Sequence, residues 1–450
     1  MTFASIQRRA LLVAFAGPLV ARQSMAASNL KLKNTEIAQT NQVRTEPIKK
    51  AWFVQGLASF EVGKGGAFFK NAGANARSSS AKASVNATHW SRQALKLVVK
   101  YQQNPLRAAR VFAHLHVSQH DAWLHASKLS IDKSACELAS HRAASLVLDH
   151  FYPNETPGNF EAQYIWLATG LARDRSIQRV AENIGDQVAS SVINRSLRDG
   201  AGRTWPLKNR PKEFVGMWQA AYPLYAVNPV EAFAGEWTPW IAPQANRYQP
   251  PTAARPNSSL HRQDTNEVQK ISSELTVKER DIALRWNLDA GSVTPGGIWL
   301  QLAVDKLNEE KIGAEMSETS FEDCLAVLAT LSVALEDAFI ACWKIKFRDW
   351  SERPITAIRR DFDSSYAPLL VTPGFPSYVS GHATISAAAA LVLSAFWPSE
   401  AATLASMARE AAMSRLWGGI HFRSDNEEGL RLGDAVGKEV LSQRSTSPLA

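Results

Sequence analysis

Three short segments near the C-terminal end constrain this chain most. The first holds Lys346 and Arg353-Pro354, the second Ser380-Gly381-His382, and the third Ser414-Arg415, His421 and Asp425. Together they supply two guanidiniums, one ammonium, a small hydroxyl, a glycine amide and two imidazoles. That set suits a tetrahedral or trigonal-bipyramidal oxyanion, which needs cations and many hydrogen-bond donors. A fold that uses it must bring three separate segments to one point. Lys346 and Arg353 are seven residues apart, which puts them two turns apart on one face if the stretch is a helix. Pro373, Gly374 and Pro376 make an extended turn ahead of an Ala-rich helical run. Ser380-Gly381-His382 is therefore predicted at a helix N-terminus, where free amides and the helix dipole favour an anion. Gly381 lets the backbone approach the ligand closely. Gly418-Gly419 permit a bend between Arg415 and His421. Asp425, four residues after His421, holds its imidazole in one tautomer if that stretch is helical.

Any one of these residues has a plainer meaning. A single arginine on a helix is usually a solvated charge, and a single histidine is usually a packed one. The joint pattern carries the weight.

The remainder reads as an all-α protein of two helical bundles with an irregular N-terminal segment. Hydrophobic residues make up 45% and charged residues 20%, which fits a globular chain and argues against disorder. Apolar periodicity with Pro and Gly punctuation predicts helices at 91–102, 105–127, 134–150, 160–172 and 175–197. The expected divisions are an export signal at 1–27, an irregular linker at 28–90, an N-terminal bundle at 91–203, a Trp/Pro-rich connection at 204–264, a catalytic bundle at 265–440 and a tail at 441–450. The most apolar stretch noted, 387–397, is too short for a membrane span and reads as a buried helix. The net charge of +8 is modest for 450 residues and no nucleic-acid motif accompanies it, so nucleic acid is not an expected partner.

At the N-terminus, Arg8-Arg9 precede an apolar run from Ala10 to Ala21, and Ser24-Met25-Ala26 offer small residues for cleavage. This predicts an exported protein, periplasmic or secreted, with a signal of twin-arginine type and no stable membrane insertion. Cys136, Cys324 and Cys342 allow at most one internal disulfide and select none. His114, His116 and His120 fall within seven residues on a predicted helix. No nearby glutamate gives them metalloprotease spacing, so they are expected to be packed rather than metal-bound.

The spacing of the three segments (Lys, six residues, Arg-Pro; Ser-Gly-His; Ser-Arg, five residues, His, three residues, Asp) resembles the superfamily of type 2 phosphatidic-acid phosphatases and vanadium-dependent haloperoxidases. The stretch "RLWGGIHFRSDNEEGLRLGDAVG" is similar to the bacterial soluble haloperoxidase branch. Trp343 and Phe375 match aromatic positions near the vanadate of chloroperoxidase-type members. "RWNLDAGSVTPGGIWLQLA" resembles an upstream family stretch, which implies that Asp289 pairs with Arg415. It carries Gly297-Ile298-Trp299 where many relatives have a histidine before the tryptophan. The resemblance implies vanadate as cofactor, held by Lys346, Arg353, Ser380, Gly381 and Arg415, with His421 bonded to vanadium. It further implies His382 as the acid–base group, Lys346 as the residue that polarises the oxidant, and Asp425 as the orienting group. The reactants would be hydrogen peroxide, a halide and an organic acceptor. The same residues also suit a soluble acid phosphatase without a cofactor, in which His421 forms a phosphohistidine, so the motif leaves two chemistries open. A non-catalytic anion-binding protein would need neither histidine.

Overall fold

The computed structural model describes residues 87–129, 132–169, 171, 174–309 and 320–445. The export signal, nearly all of the linker and the last five residues lie outside these. All described residues belong to the compact unit Thr45–Ala450. They contain no β-strand, only an isolated bridge between Met217 and Ser351.

Five helices form the first half: α1 (His89–Lys100), α2 (Pro105–Lys128), α3 (Lys133–Phe151), α4 (Asn159–Ala168) and α5 (Arg175–Ser196). Their starts follow from local chemistry. Asn104 caps α2 by accepting from the amides of Leu106 and Arg107 at 3.1 and 3.0 Å, with Pro105 in the first turn, where its missing N–H costs nothing. Asp132 and Asp174 cap α3 and α5 in the same manner. The second half holds α6 (Ser259–Glu274), α7 (Val277–Arg285), α8 (Thr294–Glu309), α9 (Phe321–Asp349), α10 (Pro354–Asp361), α11 (Gly381–Phe396), α12 (Ala401–Trp417) and α13 (Arg423–Ser445). The connection between α5 and α6 contains two short 3-10 turns and no α-helix. It is tied down where Trp218 N–H donates to Trp350 O at 2.7 Å and where the Asp337 carboxylate accepts from the amides of Trp240 and Ile241.

Helix α9 is the centre of the molecule. It is long and apolar enough to cross a membrane by length and composition, but its most apolar window is fully buried within the protein. It packs against α2, α11 and α13, and one hydrophobic cluster runs from Ala87 and Trp90 through Leu328 to Val440. This helix, rather than residues 387–397, is the longest apolar element among the described residues. The acids Glu336 and Asp337 interrupt its apolar run in sequence and are buried with partners in the fold.

The contact that sets the site's frame is α11 against α13. Gly429, Gly433 and Gly437 recur every fourth residue and bring α13 onto the α11 backbone. A Cβ at Gly433 would lie 2.0 Å from Thr384 O, and one at Gly429 2.8 Å from Ser380 O. Gly433→Ala must therefore push the helices apart. It is expected to cost about 3 kcal/mol or more, read as a lower denaturant midpoint, with weaker anion binding because Asp425 moves with α13.

The clustered histidines face different partners. His114 Nδ1 donates to Arg110 O at 2.8 Å, and His116 lies between the hydroxyls of Ser91 and Ser332 at 2.8 and 2.7 Å. His120 sits 3.3 Å from Asp121. No group of three or more His, Cys, Asp or Glu among the described residues is placed to hold a metal ion. The three cysteines are buried and none is in a disulfide.

Candidate active site

The predicted residues converge at the junction of α9, α10, α11, α12 and α13, though not by the predicted route. Lys346 and Arg353 do not share a helix. Helix α9 stops at Asp349, and Trp350 takes the left-handed conformation at φ 49°. Arg353 is the N-cap of α10, extended at ψ 156°, as a residue preceding proline tends to be. The two cations approach from two helix ends.

Both are held by the irregular segment before α11. Pro376 has no N–H, and the prolines at 373 and 376 leave this backbone outside any helical ladder, with carbonyls free to accept. Lys346 Nζ donates to Pro376 O at 2.9 Å and Ser377 O at 2.6 Å. Arg353 Nε donates to Phe375 O at 2.9 Å and Nη1 to Ile420 O at 2.7 Å. Phe375 and Trp343, with ring centroids 4.9 Å apart, flank Lys346 at 5.1 and 5.5 Å. Both aromatics therefore line the cationic site.

Ser380 is the N-cap of α11, with Gly381 and His382 as its first two residues. The Ser380 hydroxyl caps no amide; it is buried and has no hydrogen-bond partner. A Cβ at Gly381 would meet the rings of Trp343 at 3.5 Å and Phe339 at 3.9 Å, both ordinary contacts. His382 Nε2 lies 2.9 Å from Trp286 O. A carbonyl only accepts, so Nε2 carries the proton and Nδ1 keeps its lone pair. Burial, with Arg415 nearby, holds this histidine well below its usual pKa and neutral.

Gly419, at φ 73°, turns the chain after α12 and lets Arg415 and His421 share one site. A Cβ there would also strike the Tyr366 hydroxyl at 2.6 Å. His421 precedes α13 instead of lying within it. Asp425, in the first turn, reaches back: Oδ2 accepts from His421 Nδ1 at 2.8 Å and from Phe422 N–H at 3.1 Å. The link is thus half of a capping box and not an in-helix i,i+4 pair, because the acid satisfies the amide that enters the helix. With Nδ1 protonated, Nε2 offers its lone pair, and Arg353 Nη1 lies 3.0 Å from it. Burial and the cations Arg353, Lys346 and Arg415 keep His421 neutral, far below its usual pKa. Arg415 donates through Nε to Ser414 Oγ at 3.0 Å and through Nη2 to Ala283 O at 3.1 Å. Asp289 is exposed and makes no ion pair with Arg415; it acts on it only at a distance, raising its pKa.

The site thus holds three buried cations and one buried carboxylate, Asp425, with Lys346 and Arg353 beside it. Desolvation lowers Lys346 to about 7 and both Arg353 and Arg415 to about 9. Burying unmatched charge costs several kcal/mol per ion. An anion relieves that cost, and the structure has donors for it. Arg353 Nη2 and Ser380 Oγ are both buried and unpartnered. Lys346 has one of its three N–H groups unassigned among the described residues. These atoms fit a tetrahedral oxyanion, and neutral His421 Nε2 fits a metal or phosphorus centre within it. Sequence reading missed Ser377, whose hydroxyl donates to Asp425 Oδ2 at 2.5 Å, and the Trp286 carbonyl that fixes His382. No motif marks either.

The fold and the site define a helical protein in which buried cations and unpartnered donors lie beside a neutral histidine. Residues 326–403 and 398–447 match the family described as VCPO second helical-bundle domain. Among solved structures, the chain is similar to the first bacterial vanadium-dependent iodoperoxidase, at 23% identity, TM-score 0.65, and 80% of this chain against 95% of that one. It is also similar to a bacterial vanadium-dependent chloroperoxidase. For the apo form the identity is 15% and the TM-score 0.59, over 75% of this chain and 93% of that one. For the holo form they are 16% and 0.57, over 76% and 93%. No curated protein matches.

Proposed function

We propose that this protein is a vanadate-dependent haloperoxidase, which oxidises a halide with hydrogen peroxide to a hypohalous acid equivalent. The observation that carries the reading is the surplus of buried cations and unpartnered donors around a neutral histidine with Nε2 free of its proton. Solved relatives of the same fold are an iodoperoxidase and a chloroperoxidase, which supports it. Lys346, Arg353, Arg415, Ser380 and the Gly381 amide would hold the vanadate oxygens, and His421 Nε2 the metal. When bound, vanadate supplies Lewis-acid activation of hydrogen peroxide towards halide without a change in its own oxidation state. Asp425 keeps the His421 proton on Nδ1. His382 accepts and returns a proton at Nδ1, since Nε2–H is committed to Trp286 O. Lys346 directs its remaining N–H into the site. The organic acceptor is the species halogenated by the oxidised halide.

In phosphate-free protein, oxidation of iodide and bromide by hydrogen peroxide is expected to appear on addition of orthovanadate and to vanish in His421→Ala. Hydrolysis of p-nitrophenyl phosphate by the wild type, blocked by vanadate and with no halide oxidation, would make the protein a phosphatase.

Anion affinity should also depend on pH. Lys346 has a pKa of about 7 in the free protein, and a bound dianion raises it. Below pH 7 the ammonium is already charged. Above it, binding must take up a proton, so affinity falls by up to about tenfold per pH unit until the raised pKa is reached. Sulfate keeps the same charge over this range and isolates the protein's contribution. Titration with sulfate from pH 7 to 9, above the range in which Asp425 ionises at about 6, should show a steady decline; a flat profile would contradict this assignment of Lys346.

A further inference from the structure

Ser377 belongs to none of the three motif segments yet touches two of them. Its hydroxyl donates to Asp425 Oδ2 at 2.5 Å, its carbonyl accepts from Lys346 Nζ at 2.6 Å, and its own amide donates to Ser351 O at 3.1 Å. It is fully buried. We propose that Ser377 is a positioning residue of the oxyanion site, holding Asp425, and through it His421, in the arrangement that frees Nε2; this rests on the site reading above.

The reason lies in how the carboxylate is held. Oδ2 receives Ser377 Oγ, His421 Nδ1 and Phe422 N–H, while Oδ1 receives no hydrogen bond among the described residues. Two of the three donors lie within Asp425's own segment, so Ser377 is the one that pins it from outside. The terminal torsion of an aspartate is broad, and little besides its partners stops it turning. Beside Asp425 is a cavity lined also by Tyr378, Asp264, His261 and Glu352. The Tyr378 hydroxyl is buried without a partner. Once Ser377 is removed, the carboxylate has room to turn. Its bond to His421 Nδ1 then weakens, and the ring is no longer confined to one tautomer. Lys346 keeps its backbone acceptors, so the effect separates from loss of the ammonium.

The test uses the full chain with ring-15N histidine and the variants Ser377→Ala and Ser377→Cys, the latter close in size with a weaker donor. In the wild-type protein without vanadate, His421 should give the signals of one neutral tautomer, with Nε2 unprotonated. Ser377→Ala should show both tautomers or an averaged signal and lose about tenfold in orthovanadate affinity, the loss expected for one hydrogen bond to a charged group. Ser377→Cys should lose less. Unchanged ring signals in both variants, together with affinities within twofold of wild type, would overturn the proposal. The ring measurement needs no vanadate, so it decides the role of Ser377 even if the wild type binds no vanadate and the haloperoxidase reading fails.

Discussion

Arg353→Met is expected to lower orthovanadate affinity by roughly a hundredfold to a thousandfold, the loss that follows removal of one partner of a buried charged contact. Arg353 is the best-placed cation for this effect. Its Nε and Nη1 are fixed by the carbonyls of Phe375 and Ile420, and its Nη2 is buried without a partner. The guanidinium is therefore oriented before any anion arrives, so little ordering entropy is spent on binding. The same substitution should change the stability of the vanadate-free protein far less. Losing three hydrogen bonds from a charged donor costs about 1.5–3 kcal/mol each, while removing a buried cation recovers several kcal/mol of desolvation. A large loss of affinity with a small shift in melting temperature would separate ligand binding from folding. Equal losses in both would make Arg353 a structural residue.

Asp425→Asn should reduce turnover by about a thousandfold to ten-thousandfold, comparable to replacing the orienting aspartate of a serine-protease triad. The carboxylate only accepts at Oδ2, which keeps the His421 proton on Nδ1. An asparagine amide can donate to Nδ1 instead and so drive the proton to Nε2. A protonated Nε2 can neither bind a metal nor attack phosphorus. The fold should survive, because the substitution is nearly isosteric. The effect should therefore appear in kcat and in vanadate affinity, with ring-nitrogen signals of His421 showing the exchanged tautomer. Near-wild-type turnover in this variant would remove Asp425 from the mechanism.

Much of this was legible in the sequence, for identifiable reasons. The helices at 105–128 and 175–196 were readable because Asn104-Pro105 and Asp174 announce their starts and apolar spacing carries them onward. Placement of Ser380 at a helix N-terminus followed from two prolines ahead of an Ala-rich run. Spacing alone did not tell how Lys346 and Arg353 meet. A seven-residue gap suits one helix face, but the left-handed Trp350 and the extended residue before Pro354 break the helix between them. The same limit applies at His421 and Asp425, where an i,i+4 gap proved to straddle a helix start. Asp289 is exposed rather than paired, since its loop leaves its carboxylate with the Ala290 amide. The glycines at 429, 433 and 437 do show the period of a close helix contact, but sequence cannot say which helix they meet. Ser377 gave no signal, because one serine in an irregular stretch has no periodicity and its partners are set only by the tertiary fold.

The most direct test of the account is a crystal structure of the phosphate-free protein soaked with orthovanadate, with vanadium located by anomalous scattering. The account predicts one vanadium bonded to His421 Nε2, its oxygens within hydrogen-bond reach of Arg353 Nη2, Ser380 Oγ and Lys346 Nζ. Vanadium found elsewhere, or a tetrahedral anion among the cations with no bond to Nε2, would contradict it.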